Sequence, residues 1–263
     1  MRRHHVGDLV YYTFDSLRNS GAVIHAISTR HGGVSPAPFA TLNLSRFIGD
    51  DEKNVTINLE RLHAALALDA TTTVEASQAQ ADRVALVDSR HRGTRISEVD
   101  ALLTNAPGIP LLLRYADCVP IFFFDPIQRA VGIAHAGWRG TVMQIVAKTA
   151  RTMFDAFGTR PRDLTAYLAP SIGPCCYRVD ADVITRVRAA FDDADALLIA
   201  QPDGTHFDLW QANAQQLSAL GIEQIEIAQV CTAHHTEDWY SWRAERGKTG
   251  RFGAIIAIPN SEF

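Results

Sequence analysis

Cys118 and His135 stand at equal distances from the segment Asp125-Pro126-Ile127-Gln128, inside the run ADCVPIFFFDPIQRAVGIAHAGWRG. Asp at the first position and Pro at the second suit a type I turn. If the flanking strands pair symmetrically about that turn, opposed residue numbers sum to 253, and Cys118 faces His135. Their Cβ atoms would then be about 4.5–5.5 Å apart. Period-2 alternation puts Cys118, Pro120, Phe122 and Phe124 on one face with Val131, Ile133 and His135. Such a pair can hold the thiol as a nucleophilic thiolate. It can equally supply two ligands of a zinc site that needs a third protein ligand and an open position. A buried cysteine beside a hydrogen-bonded core histidine is the reading without chemistry. Asp117 points to the opposite face of a regular strand and reads as structural.

The next residues, Ala136-Gly137-Trp138-Arg139-Gly140, lead from the strand to a helix expected to begin near Thr141. A glycine-flanked helix start offers free N–H groups to an anion, and Arg139 adds a charged donor. Phosphate is the natural candidate; a tight turn is the alternative.

The elements that must position these groups are short. Apolar runs predict strands at 22–28, 83–87, 110–113, 119–124, 130–134, 165–168, 224–227 and 253–258. Helical periodicity marks residues 142–154, with Gly158 as the stop, and a helix near 54–68. Asp180 and Asp208 can cap two more helices, the second closed by Gly221. Alternation of strand and helix is irregular, which favours an α+β chain over a doubly wound sheet.

Composition narrows the function classes. The 263 residues are 47% hydrophobic and 21% charged, with net charge -4, so no global basic field invites nucleic acid or anionic membranes. No apolar run approaches the ~18 residues of a membrane span, and the start MRRHHVGD lacks a signal-peptide core. Four cysteines, Cys118, Cys175, Cys176 and Cys231, read as reduced thiols of a cytoplasmic protein rather than a disulfide framework.

The segments ADCVPIFFFDP, VGIAHAGWRGTV and APSIGPCCYRV resemble the YfiH family, also called the multicopper polyphenol oxidase or laccase domain. ISTRHGGVSPAPFATLNLS, DALLTNAPGIP, FDLWQANAQQL and WYSWRAERGKTGR extend the likeness along the chain. The resemblance implies one α+β domain over residues 1–263, with mixed β-sheets packed back to back and flanked by helices. It implies metal-dependent chemistry on small-molecule purine nucleosides and phosphate: phosphorolysis of adenosine, inosine and methylthioadenosine, and adenosine deamination. Polyphenol oxidation with copper and peptidoglycan editing are also attributed to the family.

The family's zinc site uses the Cys of ADC, the His of AHAGWRG and a His from a QVHG segment. The first two carry over to Cys118 and His135. The third does not, because SQAQADRV places Gln80 at that position and Ala81 at the glycine. An amide oxygen is a poor exchange for imidazole at zinc, so a weak or absent metal is expected; His31, His91, His234 and His235 are the remaining imidazoles weighed as substitutes. The matched motifs place Arg30, Asn43, Gln78, Arg139, Gly140, Arg243 and Arg251 at the substrate and phosphate pocket, although RAER departs from the family's paired arginines. The vicinal Cys175 and Cys176 read as buried small residues beside a turn; Cys231 reads as core, or as a soft-metal ligand with His234 and His235. Two alternatives to a nucleoside enzyme stay open: a metal-independent Cys118–His135 hydrolase or deamidase, and a divergent member that binds purines or a partner without turnover.

Overall fold

The computed structural model describes residues 1–260; the last three residues of the expected 1–263 domain lie outside the described residues. In chain order the strands are β1 Arg2–Val6, β2 Leu9–Thr13, β3 Ile24–Ser28, β4 Val74–Ser77, β5 Val84–Leu86, β6 Arg95–Ser97, β7 Ala101–Thr104, β8 Leu111–Tyr115, β9 Val119–Asp125, β10 Ala130–Ala136, β11 Thr165–Leu168, β12 Leu198–Gln201, β13 Gly204–Phe207, β14 Gln224–Ile227 and β15 Phe252–Ala257. The helices are α1 Asp15–Asn19, α2 Glu52–Ala65, α3 Trp138–Val142, α4 Ile145–Phe157, α5 Ala181–Ala190, α6 Ala194–Leu197 and α7 Leu209–Ser218. One mixed sheet runs β1-β2-β3-β15-β8-β4-β6 and a second runs β14-β11-β9-β10-β7-β5, with β12 and β13 paired separately. The domain is α+β, as expected.

The sheets lie back to back. Ile27, Leu111, Leu113 and Phe252 of the first meet Phe122, Phe124, Leu102 and Ile133 of the second. The other face of the second sheet packs Ile121, Phe123 and Ala134 against Ile145, Val146 and Met153 of α4 and Leu217 of α7. The other face of the first packs Ala26, Leu112 and Ile255 against Val55, Leu59 and Leu62 of α2. Both faces of the central strands are therefore covered, which is why β9 reads as a continuous apolar run. Truncating the fully buried Phe122 to Ala would cost about 3–5 kcal/mol. Asp51, Asp180 and Asp208 cap α2, α5 and α7 by accepting from the N–H groups of Lys53, Val183 and Gln211. α4 stops at Gly158, which takes the left-handed conformation at φ +70°.

The β9–β10 hairpin differs from the expected pairing. Asp125 pairs with Ala130 and Pro120 with His135, so opposed numbers sum to 255 rather than 253. Four residues, not two, form the connection. The Asp125 carboxylate accepts from the N–H groups of Ile127 and Gln128 at 2.8 and 3.0 Å, and Arg129 adopts φ +50° to close the turn. A shift of two preserves side-chain parity, so the faces stand as expected. Cys118 lies beside Gly137, where an added Cβ would sit 2.8 Å from Sγ, and His135 is its diagonal neighbour.

The helix after β10 also starts earlier than expected. Gly137 is the N-cap of α3, and Gly140 is buried within that helix rather than at its start. Gln144 in the left-handed conformation, φ 63°, then separates α3 from α4.

Candidate active site

Cys118 and His135 come together in one cavity of about 410 Å³. His135 Nδ1 lies 2.7 Å from the Asp100 carboxylate, which is fully buried. That contact fixes the ring, and the remaining nitrogen serves the cavity and the Cys118 thiol. Burial alone works against the imidazolium, but Cys118 and Asp100 outweigh it and lift His135 to about 10. Both neighbours thus favour the imidazolium form.

Asp100 opens the DALLTNAPGIP segment, but nothing local in the sequence gives it a role, its partner being 35 residues away. It does more than orient His135. Its oxygens also accept from the N–H groups of Ala79, Gln80 and Ala81 at 3.1, 3.1 and 2.8 Å. Gln80 is held at φ 55°, and its Oε1 accepts from Arg139 at 2.9 Å. One carboxylate thus sets both the histidine and the loop where the family's third metal ligand belongs.

The donor set can be tested against the zinc or copper that the resemblance implies. Cys118 and a carboxylate-backed His135 are good ligands. Among the described residues, however, no group of three His, Cys, Asp or Glu ligands forms around them. The third place falls to a neutral amide already bonded to a guanidinium, whose charge opposes a dication. A catalytic zinc needs three protein ligands and an open position. The cavity does not fit that requirement.

What the cavity offers is positive charge and aromatic surface. Arg114, Arg139, Arg243 and Arg251 line it. Three of these stack on rings: Arg139 on Trp138 at 4.4 Å, Arg243 on Tyr177 at 5.2 Å and Arg251 on Trp242 at 5.2 Å. Trp242 is half exposed at the rim. Arg114 is fixed behind the rim by Glu75 at 2.8 Å and by the carbonyl of Leu44. An adjoining cavity of about 380 Å³ shares Gln80, Arg114, His135 and Arg251 and adds Gln78. The Gln78 amide is itself engaged, accepting from the N–H of Arg114 and donating to its carbonyl.

Three expected pocket residues, Arg30, Asn43 and Gly140, lie elsewhere. The Arg30 guanidinium donates to the carbonyls of Ala40 and Thr236 and to Glu245, with its face over Tyr240, and does not line the cavity. Asn43 is fully buried; it donates to Ser45 O and Asp50 and accepts from Arg251 N–H, so it supports the pocket arginine from behind. Gly140 packs against Ile145 and the carbonyls of Ala81 and His135. Conversely, Asp117 lines the cavity, because the strand is not regular there: its φ is 87°. It accepts from Thr232 Oγ1 and from the Arg243 N–H, both at 2.7 Å, and burial raises its carboxyl despite those bonds.

The vicinal cysteines depart from expectation as well. Cys175 is exposed and Cys176 half-buried, so they are not core residues. Cys231 is buried, and His234 joins all three thiols in a cluster whose ligand atoms lie within 4.8 Å of one another.

The fold and the cavity together define a class. The chain belongs to the family described as multi-copper polyphenol oxidoreductase laccase, whose model matches residues 24–259. Within it, the chain is 36% identical over 254 residues to purine nucleoside phosphorylase YlmD of Bacillus subtilis (strain 168), covering 93% of this chain and 91% of that one. It is 37% identical over 241 residues to a purine nucleoside phosphorylase of Deinococcus radiodurans, covering 92% and 91%. The crystal structure of YlmD from Geobacillus stearothermophilus superposes with a TM-score of 0.91 at 32% identity, covering 98% of each chain. No helix among the described residues is long and apolar enough to cross a membrane.

Proposed function

We propose that the chain is a purine nucleoside phosphorylase acting on adenosine, inosine and methylthioadenosine. The observation that carries this is the convergence of four guanidiniums with a protonated histidine on one aromatic-rimmed cavity. Such a site calls for an anionic reactant beside a planar one. Phosphate held by Arg139, Arg243 and Arg251 would attack the anomeric carbon as the bond to the purine breaks. The departing base takes up negative charge, which the His135 N–H and the arginines stabilise where it develops. Trp138 and Trp242 offer faces for the purine. No step is routed through a metal. Adenosine deamination would be a second turnover in the same cavity, read as inosine formed without phosphate.

Incubation with inosine tests the main reading. Release of hypoxanthine that requires phosphate and yields ribose 1-phosphate is expected. Base release independent of phosphate would replace phosphorolysis by hydrolysis.

One observation favours a second reading. Asp100, His135 and Cys118 follow one another as orienter, base and nucleophile do in thiol hydrolases. Selective alkylation of Cys118 that depends on His135, with amide cleavage and no nucleoside turnover, would establish that alternative.

A further inference from the structure

Outside the catalytic cavity, the turn after β11 meets the loop after β14. Ser171 and Cys231 form an isolated bridge between them, and the two segments carry Cys175, Cys176, Cys231 and His234. A tetrahedral zinc, with Zn–S near 2.3 Å and Zn–N near 2.0–2.1 Å, separates sulfur from nitrogen by about 3.6 Å and sulfur from sulfur by about 3.8 Å. Cys175 Sγ and His234 Nδ1 are 3.6 Å apart, and no pair of ligand atoms is beyond 4.8 Å. No pair need therefore close by more than about 1 Å to reach tetrahedral spacing.

We propose that Cys175, Cys176, Cys231 and His234 form a closed, four-ligand zinc site with a structural role, separate from the catalytic cavity. The surroundings suit thiolate ligands. The Gly173 N–H donates to Cys231 Sγ at 3.3 Å, an outer contact that steadies a sulfur carrying charge. Cys231 and His234 are separated by two residues in a turn, with the His234 N–H donating to the Cys231 carbonyl.

The position gives the ion a task. The Cys176 carbonyl accepts from Arg243, Tyr177 lines the cavity beneath that arginine, and Thr232 is bonded to Asp117. Zinc would join the two segments that build this wall. The inference does not depend on the nucleoside reading.

The test is zinc content after purification from zinc-supplemented growth without chelator, in a Cys118→Ala background that removes the cavity thiol. About one zinc per chain is expected, falling to near zero with Cys231→Ser. His234→Ala, at an exposed position, should leave the chain folded and lower zinc affinity by at least about tenfold, the loss that even an outer contact can cause. Cobalt in place of zinc should show thiolate charge-transfer absorption retained in Cys118→Ala and weakened in Cys231→Ser. A chain without zinc would overturn the proposal, as would zinc that survives both ligand substitutions, or copper at the same residues. So would fewer than four free thiols in wild-type protein denatured without reductant, which would mean a disulfide.

Discussion

Cys118 and the Cys175–Cys176–Cys231 group place thiols in opposite electrostatic settings. The single thiol faces an imidazolium backed by a buried carboxylate, with four guanidiniums nearby. The three clustered thiols face one another and His234, and burial with mutual repulsion holds two of them in the neutral form. A cation would add little in the first setting and would stabilise thiolates in the second. The family's chemistry directs attention to a metal at Cys118, yet the donors that could hold one tightly are gathered in the neighbouring wall. The presence of sulfur and imidazole is therefore a weaker guide to a metal than the count of surrounding positive charge.

The comparison is broken most sharply by removing the cavity pair. His135→Ala should reduce phosphorolysis by roughly 10²–10⁴-fold, the scale of a lost acid–base group, and Cys118→Ala, which acts only through His135, should reduce it less. Zinc held by the other cluster should not change. Retained turnover, or zinc lost along with it, would erase the division between the two regions.

Asp100→Asn should cost about 10–100-fold, as the loss of an orienting partner does. It should also lower the His135 titration from about 10. Because the folded value lies above the ordinary 6.5, His135 contributes stability fully present below pH 6.5 and lost as pH rises through about 10. The alkaline limb of both activity and stability should move to lower pH in the variant, with the imidazole followed by proton NMR. A limb that stays in place would separate Asp100 from the histidine.

A third, smaller effect is expected from Arg139→Gln, with KM for phosphate rising about tenfold, the value of one charge-assisted hydrogen bond. Steady-state kinetics at fixed inosine would show it; an unchanged KM would move the anion to Arg243 and Arg251.

The smallest effect is a gain. Gln80→His should raise zinc affinity at Cys118 several-fold, since imidazole is a better ligand than an amide, and titration with the metal would read it. Position 80 already holds φ 55°, a region that histidine visits more readily than most residues. No glycine at 81 is then required. Unchanged affinity would mean that Arg139 governs the site more than the missing ligand does.

The sequence made some of this legible and hid the rest for physical reasons. Strands at 165–168 and 224–227 emerged with their bounds because short apolar runs end at turn residues. The meeting of Cys118 and His135 survived an error in register because parity repeats every two residues. Asp100 heads the DALLTNAPGIP segment, yet its role escaped because a carboxylate 35 residues from its partner has no local signature. Arg30 shows the converse: a motif can mark a guanidinium without revealing that three acceptors already occupy it. Cys175 looked like a small core residue because a vicinal pair beside a proline carries no sign of the chain that folds over it from residue 231.

The hairpin turn has a practical use. Its tip, with Ile127 largely in solvent, is secured by Asp125 at one end of β9, while Cys118 adjoins the other end. Strand rise of about 3.3 Å per residue separates the two by roughly 20 Å. A peptide tag or surface anchor spliced in after Ile127 would hang from the far side of a rigid ribbon. Immobilised in that way, the protein would still present its cavity to the bathing solution, so reagents could be exchanged over one sample.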